Sequence, residues 1–226
     1  MIKPFAITLD SGSSLANHTG SWRSKRPEFV DRLPPCNEEC PAGENIQQWL
    51  FHAEEGNYHL AWQEIMKNNP LPAIMGRACY HTCESACNRA QVDETVGIHS
   101  VERFLGDMAI ENGWVVENNT PSSGKKIMVI GSGPGGLSAA YHLTMLGHKV
   151  VLFEAAPAAG GLLRYGIPTY RLPRNVLDAE VKRIEDMGVE IRLNSQVDDV
   201  MKTVEDEGFD AVYASVGAQN ARSLDL

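Results

Sequence analysis

A glycine-rich turn between an apolar segment and a predicted helix constrains this chain more than any other feature of its sequence. Residues 131–136 read GSGPGG, which has the spacing G-x-G-x-x-G. The continuous apolar run 126–130 before it predicts a buried strand, and the segment 135–146 after it predicts a helix that ends at Gly147. A turn of this kind between a strand and a helix is typical of the first βαβ unit of a Rossmann-like fold.

The glycines of this turn meet three different requirements of a bound pyrophosphate. Gly131 permits the tight turn, Gly133 lets the pyrophosphate approach the backbone, and Gly136 lets the helix pack closely on the strand. The helix N-terminus then presents unpaired N–H groups to the phosphates. Glu154 ends the second predicted strand, where its carboxylate can accept hydrogen bonds from a ribose diol and would repel a ribose phosphate. We therefore expect FAD or NAD, rather than NADP, at this site.

Strands and helices alternate along the rest of the chain. The apolar runs and helical periods predict a strand over 148–153, a helix over 174–187, a strand over 189–193, a helix over 198–207 and a strand over 211–215. Continuous apolar strands joined by helices favour a parallel sheet that is covered by helices on both faces.

The segment before residue 118 has helical periodicity. Apolar stripes predict three helices, built on Ile46, Trp49, Leu50 and Ala53, on Tyr58, Ala61, Trp62 and Ile65, and on Val101, Leu105 and Met108. Asn57 is expected to cap the second of them. Turn formers over 118–125 predict a linker, so we expect an extended arm over residues 1–35, a helical domain over 36–117 and a second domain over 126–226.

Charge and cysteine content exclude several classes of protein. The 226 residues carry 20 Lys and Arg against 29 Asp and Glu, a net charge of −9, which argues against nucleic acid or an anionic membrane as the main partner. No run is apolar enough to span a membrane and residues 1–10 lack a signal-peptide pattern, so we expect a cytoplasmic protein. The five cysteines lie between Cys36 and Cys87, which favours metal binding over a disulfide scaffold.

The cysteines fall into two groups with different spacing. Cys36 and Cys40 form the C-x3-C-P end of a ferredoxin-type run, in which the cysteine before proline binds a different cluster from its predecessors. No cysteine precedes Cys36. Cys79, Cys83 and Cys87 follow at intervals of four residues. If these residues lay on one helix, thiols four residues apart would be close enough to bind one cluster, whereas roughly 12 Å would separate Cys79 from Cys87. This geometry groups Cys79 with Cys83 and leaves Cys87 for another role.

Two stretches resemble one family of redox enzymes. Residues 160–173, GGLLRYGIPTYRLP, and the cysteine pattern are similar to the glutamate synthase small subunit and to the flavin domain of dihydropyrimidine dehydrogenase. The likeness covers roughly residues 36–217 and implies an α plus α/β fold, with a helical iron–sulfur domain followed by an incomplete Rossmann-like FAD-binding domain. The FAD contacts expected from the motif and the resemblance are Gly131, Gly133, Pro134, Gly135, Gly136, Glu154, Gly161, Leu162, Arg171, the backbone of Val197, and Gly217. An exposed loop arginine is the alternative for Arg171.

The same resemblance implies which cysteines hold iron. The family carries two [4Fe-4S] clusters, of which one takes ligands at the positions of Cys40, Cys79, Cys83 and a downstream Glu or Gln that aligns with Glu102. The other needs Cys36, Cys87 and two cysteines that this sequence lacks. We therefore expect one [4Fe-4S] cluster. Glu102 is the first choice for its fourth ligand, and Cys36 or Cys87 the second. An ordinary carboxylate on a helix surface stays open for Glu102.

The resemblance also implies a function, namely electron transfer between FAD and a partner protein by an NAD(P)H-linked oxidoreductase subunit. In the family, a second Rossmann domain binds NADPH, and it is inserted close to the point where this sequence ends. We expect a fragment of a longer protein or a chain completed by another subunit. The implied partner is a larger redox subunit of the glutamate synthase type, or of the 2-oxoacid oxidoreductase type, although no residue supports the latter.

Two other functions stay open on the residues alone. The first is a non-catalytic assembly module in which the cysteines hold structural zinc. The second is a simple FAD-dependent oxidase with an incidental cysteine cluster. His81 lies between two candidate ligands and could bind a metal, although a satisfied or exposed imidazole is the favoured interpretation.

Overall fold

The computed structural model describes residues 33–218, and the predicted arm over residues 1–35 lies almost entirely outside them. The chain first forms a layer of helices. These are α1 (Pro35–Glu39), α2 (Ile46–Glu54), α3 (Tyr58–Met66), α4 (Pro72–Ala78), α5 (Thr82–Ser85) and α6 (Ile98–Glu111), with a 3₁₀ turn at Asn88–Gln91. The apolar stripes predicted α2, α3 and α6, and they face inward, since Trp49 and Trp62 are buried.

Two helix starts differ in how their first N–H groups are satisfied. The side chain of Asn45 accepts a hydrogen bond from the backbone N–H of Gln48 and so caps α2. Asn57 occupies the corresponding position of α3, but its side chain makes no capping hydrogen bond. The predicted capping by the Asn57 side chain is therefore wrong, although α3 begins where it was expected.

Helices α4 and α6 cross at very short range because glycines face each other's backbones. A Cβ atom on Gly76 would lie 2.5 Å from the backbone nitrogen of Arg103, and one on Gly106 would lie 2.3 Å from that of Ala73. No side chain fits in either position. This crossing brings the C-terminal end of α4, which leads into Cys79, close to the part of α6 that carries Glu102.

The second part of the described chain alternates strands and helices. Its elements are β1 (Lys126–Ile130), α7 (Pro134–Met145), β2 (Lys149–Phe153), α8 (Leu162–Tyr165), α9 (Arg174–Asp186), β3 (Glu190–Arg192), α10 (Val200–Glu207) and β4 (Ala211–Ala214). All strand pairs are parallel, in the order β3-β2-β1-β4. Ile130 at the end of β1 pairs with Phe153 and with Ala214, so β1, β2 and β4 end at one edge of the sheet. Ligands of Rossmann-like folds bind at this edge.

The two parts share one hydrophobic core. Trp62, Ile74 and Ala109 of the helical layer belong to the same buried cluster as Val129 of β1 and Ile184 of α9. A smaller cluster that contains Met128, Phe153 and Phe209 covers the other sheet face. The two central strands, β1 and β2, are thus buried on both faces as the continuous apolar strands predicted, whereas the edge strands β3 and β4 are partly to largely exposed.

A buried carboxylate also joins the two parts. Glu180 of α9 is fully buried and accepts hydrogen bonds from the backbone N–H groups of Ala73 and Ile74, at 3.0 and 3.1 Å. These groups belong to the first turn of α4, where a helix lacks internal acceptors for its N–H groups. Within residues 33–218, no helix is both long and apolar enough to cross a membrane.

Candidate functional site

A cavity of about 250 Å³ lies among the helices, and three cysteines and two glutamates contribute to its wall. Cys40 follows α1, Cys79 follows α4, Cys83 lies in α5 and Glu102 lies in α6. We call this space the cysteine cavity. The structure thus brings together the four residues that the resemblance assigned to one cluster, although they come from four separate elements.

The segment from Cys79 to Cys87 is not one helix, so the separation calculated for a continuous helix does not apply. Cys79 and Cys87 are extended, at φ −63°, ψ 153° and φ −64°, ψ 123°. His81 between them has a left-handed backbone at φ 56°. These breaks turn Cys79 and Cys83 toward the same cavity.

Cys36 and Cys87 stand apart from the cysteine cavity, whose wall they do not join. Burial raises the pKa of the Cys36 thiol, and the proximity of Cys87 raises it further. The two thiols are therefore close enough to interact electrostatically, and neither contributes to the wall of the cysteine cavity. Both are free cysteines.

The spacing of the sulfur atoms distinguishes a single ion from a larger cluster. Tetrahedral zinc with bonds of about 2.3 Å holds its thiolates roughly 3.8 Å apart. Within residues 33–218, the one group of three metal-binding side chains with ligand atoms within 4.8 Å of one another is His81, Glu84 and His99. The three thiols of the cysteine cavity are therefore not all within 4.8 Å of one another, so at least one pair is spaced more widely than the thiolates of one zinc ion. The cavity between them has room for a larger group.

Burial favours the protonated form of two of the cavity thiols, Cys40 and Cys83. Burial raises the pKa of Cys83 to about 12, and the neighbouring Cys40 and Cys79 add to the effect. Burial likewise raises the pKa of Cys40. Binding of iron would release these protons, because the thiolate is the ligand.

Glu102 is a buried carboxyl group, only 6% exposed, and not a residue of the helix surface. Its Oε1 accepts a 2.7 Å hydrogen bond from Asn69 Nδ2, which also donates to Glu44 Oε1 at 3.0 Å. Trp49 Nε1 donates to the other oxygen of Glu44 at 3.1 Å. Burial raises the pKa of Glu102 well above its ordinary value, and the nearby Glu44 raises it further. A cation in the cavity would favour the ionised form of Glu102.

The glycine-rich turn has the geometry of a phosphate cradle. A Cβ atom on Gly136 would lie 1.8 Å from the carbonyl oxygen of Gly131, so α7 is packed directly on the turn. Gly131 itself has φ +96°, a conformation that favours glycine. Gly133 differs, because a Cβ atom there would meet no atom within 4 Å. The space above Gly133 is open at the N-terminus of α7, where an anion would bind.

The loop after β2 lies against this cradle. Gly161 has φ +50°, and a Cβ atom there would lie 2.8 Å from the Cα of Gly133. Leu162, which begins α8, is exposed, and Pro134 and Gly135 form the first turn of α7. The predicted cofactor contacts of the glycine-rich turn and of the loop at Gly161 therefore lie next to each other.

Glu154 is fixed by three hydrogen bonds at the end of β2. Its Oε2 accepts from the backbone N–H of Ser132 at 2.9 Å and from the Ser132 hydroxyl, and its Oε1 accepts from the N–H of Ala156 at 2.8 Å. Burial raises the pKa of Glu154, but these hydrogen bonds outweigh burial and leave it below the ordinary value. The carboxylate is ionised, and Oε1, which accepts one hydrogen bond where Oε2 accepts two, keeps a lone pair for a ribose hydroxyl.

The remaining predicted contacts are placed as follows. Arg171 is exposed, and its Nε donates to the carbonyl oxygen of Arg77 at 3.2 Å, which ties its loop to α4. Val197 packs on the sheet cluster that contains Met128. Gly217 has φ +70° beyond the end of β4. Among the described residues, neither Val197 nor Arg171 forms a hydrogen bond with the glycine-rich turn.

Helix α7 links the two candidate sites. Pro134 and Ser138 of its first turns contribute to the wall of the cysteine cavity. Pro134 directly follows Gly133, where the cradle is open. One helix therefore has the cysteine cavity on its side and the phosphate cradle at its N-terminus.

Two family models match this chain. Residues 31–114 match the family described as dihydropyrimidine dehydrogenase domain II, 4Fe-4S cluster. The N-terminal part is a 4Fe-4S domain of this family. Residues 129–190 match an NAD(P)-binding Rossmann-like domain. The resemblance and the fold class predicted from the sequence are confirmed.

Curated relatives cover most of the chain. The beta subunit of NADP(+)-dependent formate dehydrogenase from Moorella thermoacetica is 37% identical over an alignment of 206 residues, which covers 81% of this chain and 29% of that protein. The small chain of NADPH glutamate synthase from Bacillus subtilis is 36% identical, and its alignment covers 82% of this chain and 38% of that protein. Subunit PreT of NAD-dependent dihydropyrimidine dehydrogenase from Escherichia coli is 35% identical, and its alignment covers 85% of this chain and 47% of that protein. The chain is a homologue of these redox-enzyme subunits and spans less than half of the length of each.

Sequence reasoning missed two residues of the cysteine cavity. Glu44 and Asn69 contribute to the wall of the cysteine cavity, and both lie in loops. Asn69 directly precedes Pro70. No local pattern marks either residue, because the hydrogen bonds that join Asn69 to Glu44 and to Glu102 span 25 and 33 residues of sequence.

Proposed function

We propose that this chain is the electron-transfer part of an NAD(P)H-linked oxidoreductase, in which one [4Fe-4S] cluster exchanges electrons with FAD bound at the glycine-rich turn. The observation that carries the proposal is the placement of Pro134 and Ser138 in the wall of the cysteine cavity. An iron centre there would lie beside the helix whose N-terminus receives the pyrophosphate.

The cluster would be held by Cys40, Cys79, Cys83 and Glu102. Support comes from the shared cavity, the spacing of the thiols beyond that of a single ion, and the burial of Glu102. The match to a 4Fe-4S domain over residues 31–114 supports the same assignment. The backbone N–H of His81 donates to Cys79 Sγ at 3.4 Å, and a hydrogen bond of this kind stabilises a thiolate ligand.

FAD would be held by the glycine turn, by Glu154 and by the loop at Gly161. Glu154 is ionised and positioned at the carboxyl end of β2, where a ribose diol would bind and a ribose phosphate would be repelled. The open space above Gly133 would receive the pyrophosphate. The sequence similarity of residues 160–173 to flavin-binding relatives favours FAD over NAD here.

A bound flavin takes up two electrons as a hydride and releases them one at a time to a one-electron cluster. The protein supplies position and electrostatics, so no acid or base is needed from the chain. We propose that the NAD(P)H site lies outside these residues, and that electrons pass to a larger redox subunit in the cytoplasm. The relatives are named as subunits of formate dehydrogenase, glutamate synthase and dihydropyrimidine dehydrogenase, which supports a partner subunit.

Analysis of anaerobically purified protein tests the proposal. Iron, acid-labile sulfide and extracted flavin are measured per chain, and the dithionite-reduced sample is examined by EPR. The proposal predicts iron and sulfide in equal amounts, flavin that is FAD, and the EPR signal of one reduced [4Fe-4S] cluster. Zinc without sulfide would contradict it and support the assembly module instead.

A further inference from the structure

A second cavity, of about 260 Å³, lies apart from both candidate sites. One side of its wall is formed by the end of α6 and the residues that follow it, up to Val116, and the other side by α9 and Met187. We call this space the α6–α9 cavity. Within residues 33–218, no residue of its wall belongs to the wall of the cysteine cavity or to the glycine-rich turn. A ligand bound there would therefore be independent of iron and flavin.

Most of this wall is apolar. Ile110, Val116 and Met187 contribute aliphatic side chains, and Trp114 contributes an aromatic ring. All four are partly buried and pack against the shared core. Trp114 is held in place by the buried ring of Trp62, with 5.6 Å between the ring centroids. A wall of this composition favours a ligand with a small apolar body that can lie on an aromatic ring.

Arg183 places a buried positive charge in the same wall. Its side chain is 8% exposed, and its guanidinium lies 5.4 Å from the ring centroid of Trp62. Nη1 of Arg183 donates a long hydrogen bond of 3.3 Å to Oε1 of Glu180. A guanidinium has five N–H groups, and within residues 33–218 no other acceptor receives a hydrogen bond from Arg183. Most of its donors are therefore unused.

The unused donors of Arg183 are not sealed inside the protein. Within residues 33–218, the buried side-chain nitrogen and oxygen atoms that lack a partner are Trp62 Nε1 and His81 Nε2. Nε and Nη2 of Arg183 have no partner either, but they are not among these sealed atoms, so they keep accessible surface. Because Arg183 lines the α6–α9 cavity, a ligand in that cavity can reach them.

The other charges beside the cavity leave room for one negative charge. Lys182 and Asp186 also contribute to the wall, but they form an ion pair with each other. Glu180 is the carboxyl group that contacts Arg183, and burial raises the pKa of Glu180 to about 7, so it balances the guanidinium only in part near neutral pH. A carboxylate, which carries one charge and fits the fork of an arginine, suits this wall better than a phosphate monoester with nearly two charges.

We propose that the α6–α9 cavity binds a small apolar carboxylate. The carboxylate oxygens accept hydrogen bonds from Arg183, and the apolar body packs on Trp114. The volume of the cavity lies at the lower end of the range for ligand sites, so it fits a molecule of about ten non-hydrogen atoms. The inference uses no residue of the proposed cluster and flavin sites and does not rest on the proposed function.

Calorimetric titration of the full chain with phenylacetate and with its neutral isostere phenylacetamide tests the proposal. Both probes carry one ring and have the same size, but only phenylacetate has a charge that can pair with Arg183. We expect phenylacetate to bind roughly tenfold more tightly than phenylacetamide, which corresponds to one charge-assisted hydrogen bond. Equal affinities for the two probes, or no saturable binding of phenylacetate, would overturn the proposal.

Two substitutions in the wall should have different effects on the two probes. Arg183→Met keeps an apolar stem and removes the donors, so it should abolish the preference for the acid over the amide. Trp114→Leu removes the aromatic surface, so it should weaken both probes by a similar factor and keep the preference. Lys202→Met removes an exposed cation of α10 outside the cavity and is the matched control. A preference for phenylacetate that persists in Arg183→Met would overturn the proposal.

Glu180→Gln supplies a test that keeps Arg183 in place. Loss of the neighbouring carboxyl removes a competing negative charge, so phenylacetate should bind about threefold or more tightly, while the affinity for phenylacetamide stays the same. Far-UV circular dichroism and the urea midpoint establish that each variant is folded before titration. An unchanged or lower affinity of folded Glu180→Gln for phenylacetate would mean that Arg183 does not bind the probe and would overturn the proposal. Absence of iron or flavin from the protein would defeat the proposed function and leave this inference standing.

Discussion

Asn69 Nδ2 donates a 2.7 Å hydrogen bond to Glu102 Oε1, and both side chains are buried in the wall of the cysteine cavity. The bond fixes one oxygen of Glu102. No hydrogen bond from the described residues reaches the other oxygen, Oε2. Glu102 is therefore oriented by a neutral amide while one oxygen stays available to a cation in the cavity.

Removal of this carboxyl group should change the type of cluster. In Glu102→Ala the cluster would lose its fourth ligand, and we expect about three iron atoms per chain in place of four, with an EPR signal in the oxidised protein. Glu102→Gln keeps an oxygen donor and should retain the full cluster better. Glu111→Ala, at the exposed end of α6, is the matched control. A full iron content and an unchanged spectrum in Glu102→Ala would show that another group supplies the fourth ligand.

Two glycines of the turn should respond to the same substitution in opposite ways. Gly133→Ala adds a Cβ atom in open space, so stability should change by less than about 0.5 kcal/mol, whereas the methyl group would occupy the place of the pyrophosphate and weaken FAD binding. Gly136→Ala would clash with the carbonyl oxygen of Gly131 and should cost about 1–3 kcal/mol or more. Urea unfolding and flavin titration measure the two effects. Tight FAD binding by Gly133→Ala would mean that the cradle is not a phosphate site.

The carboxylate of Glu154 should matter for the flavin and not for the iron. Its oxygens face Ser132 and Ala156, and the remaining lone pair of Oε1 would accept a hydrogen bond from a ribose diol. In Glu154→Ala we expect less FAD per chain and an unchanged iron content. The exposed Glu205 of α10 provides the control variant Glu205→Ala. If both variants retain the same amount of FAD as the wild type, the ribose assignment is wrong.

Glu180 should make stability depend on pH. Burial raises its pKa to about 7, although Arg183 and the N–H groups of Ala73 and Ile74 oppose the rise. A carboxyl that binds its proton more tightly when folded stabilises the fold fully below the pKa of the unfolded chain, and this contribution is lost as the pH rises through 7. The difference between this pKa and the ordinary value of 4.5 corresponds to about 3 kcal/mol of unfolding free energy.

Unfolding of wild type and Glu180→Gln at two pH values measures this contribution. Between pH 5 and pH 8 the wild type should lose about 2–3 kcal/mol more of its unfolding free energy than the variant, since glutamine does not titrate. The comparison cancels the other titrating groups. Parallel pH curves for the two proteins would show that Glu180 keeps an ordinary pKa in the fold.

The sequence predicted those elements that have a regular period or a local motif. Helices α2, α3 and α6 and the four strands could be read from apolar spacing, and the glycine turn from its position between a strand and a helix. The short helices α1, α4, α5 and α8 were not predicted, because four to seven residues are too few to show a helical period.

The candidate site was predictable in its residue types and not in its geometry. The resemblance grouped Cys40, Cys79 and Cys83 with Glu102, whereas the helical spacing argument assumed one continuous helix and missed the left-handed turn at His81. Such a turn has no pattern in a single sequence. The partners of Glu102 come from distant loops, and only the crossing of α4 and α6 brings them together.

The central claim is that three cysteines from separate elements hold one iron–sulfur cluster beside the cofactor cradle. The most direct measurement is iron and acid-labile sulfide per chain in Cys79→Ala and Cys83→Ala compared with Cys87→Ala, each purified without oxygen. Cys79 and Cys83 belong to the wall of the cysteine cavity and Cys87 does not. The account predicts loss of the cluster in the first two variants and nearly full iron and sulfide in the third. Loss of iron in Cys87→Ala, or its retention in Cys79→Ala and Cys83→Ala, would contradict it.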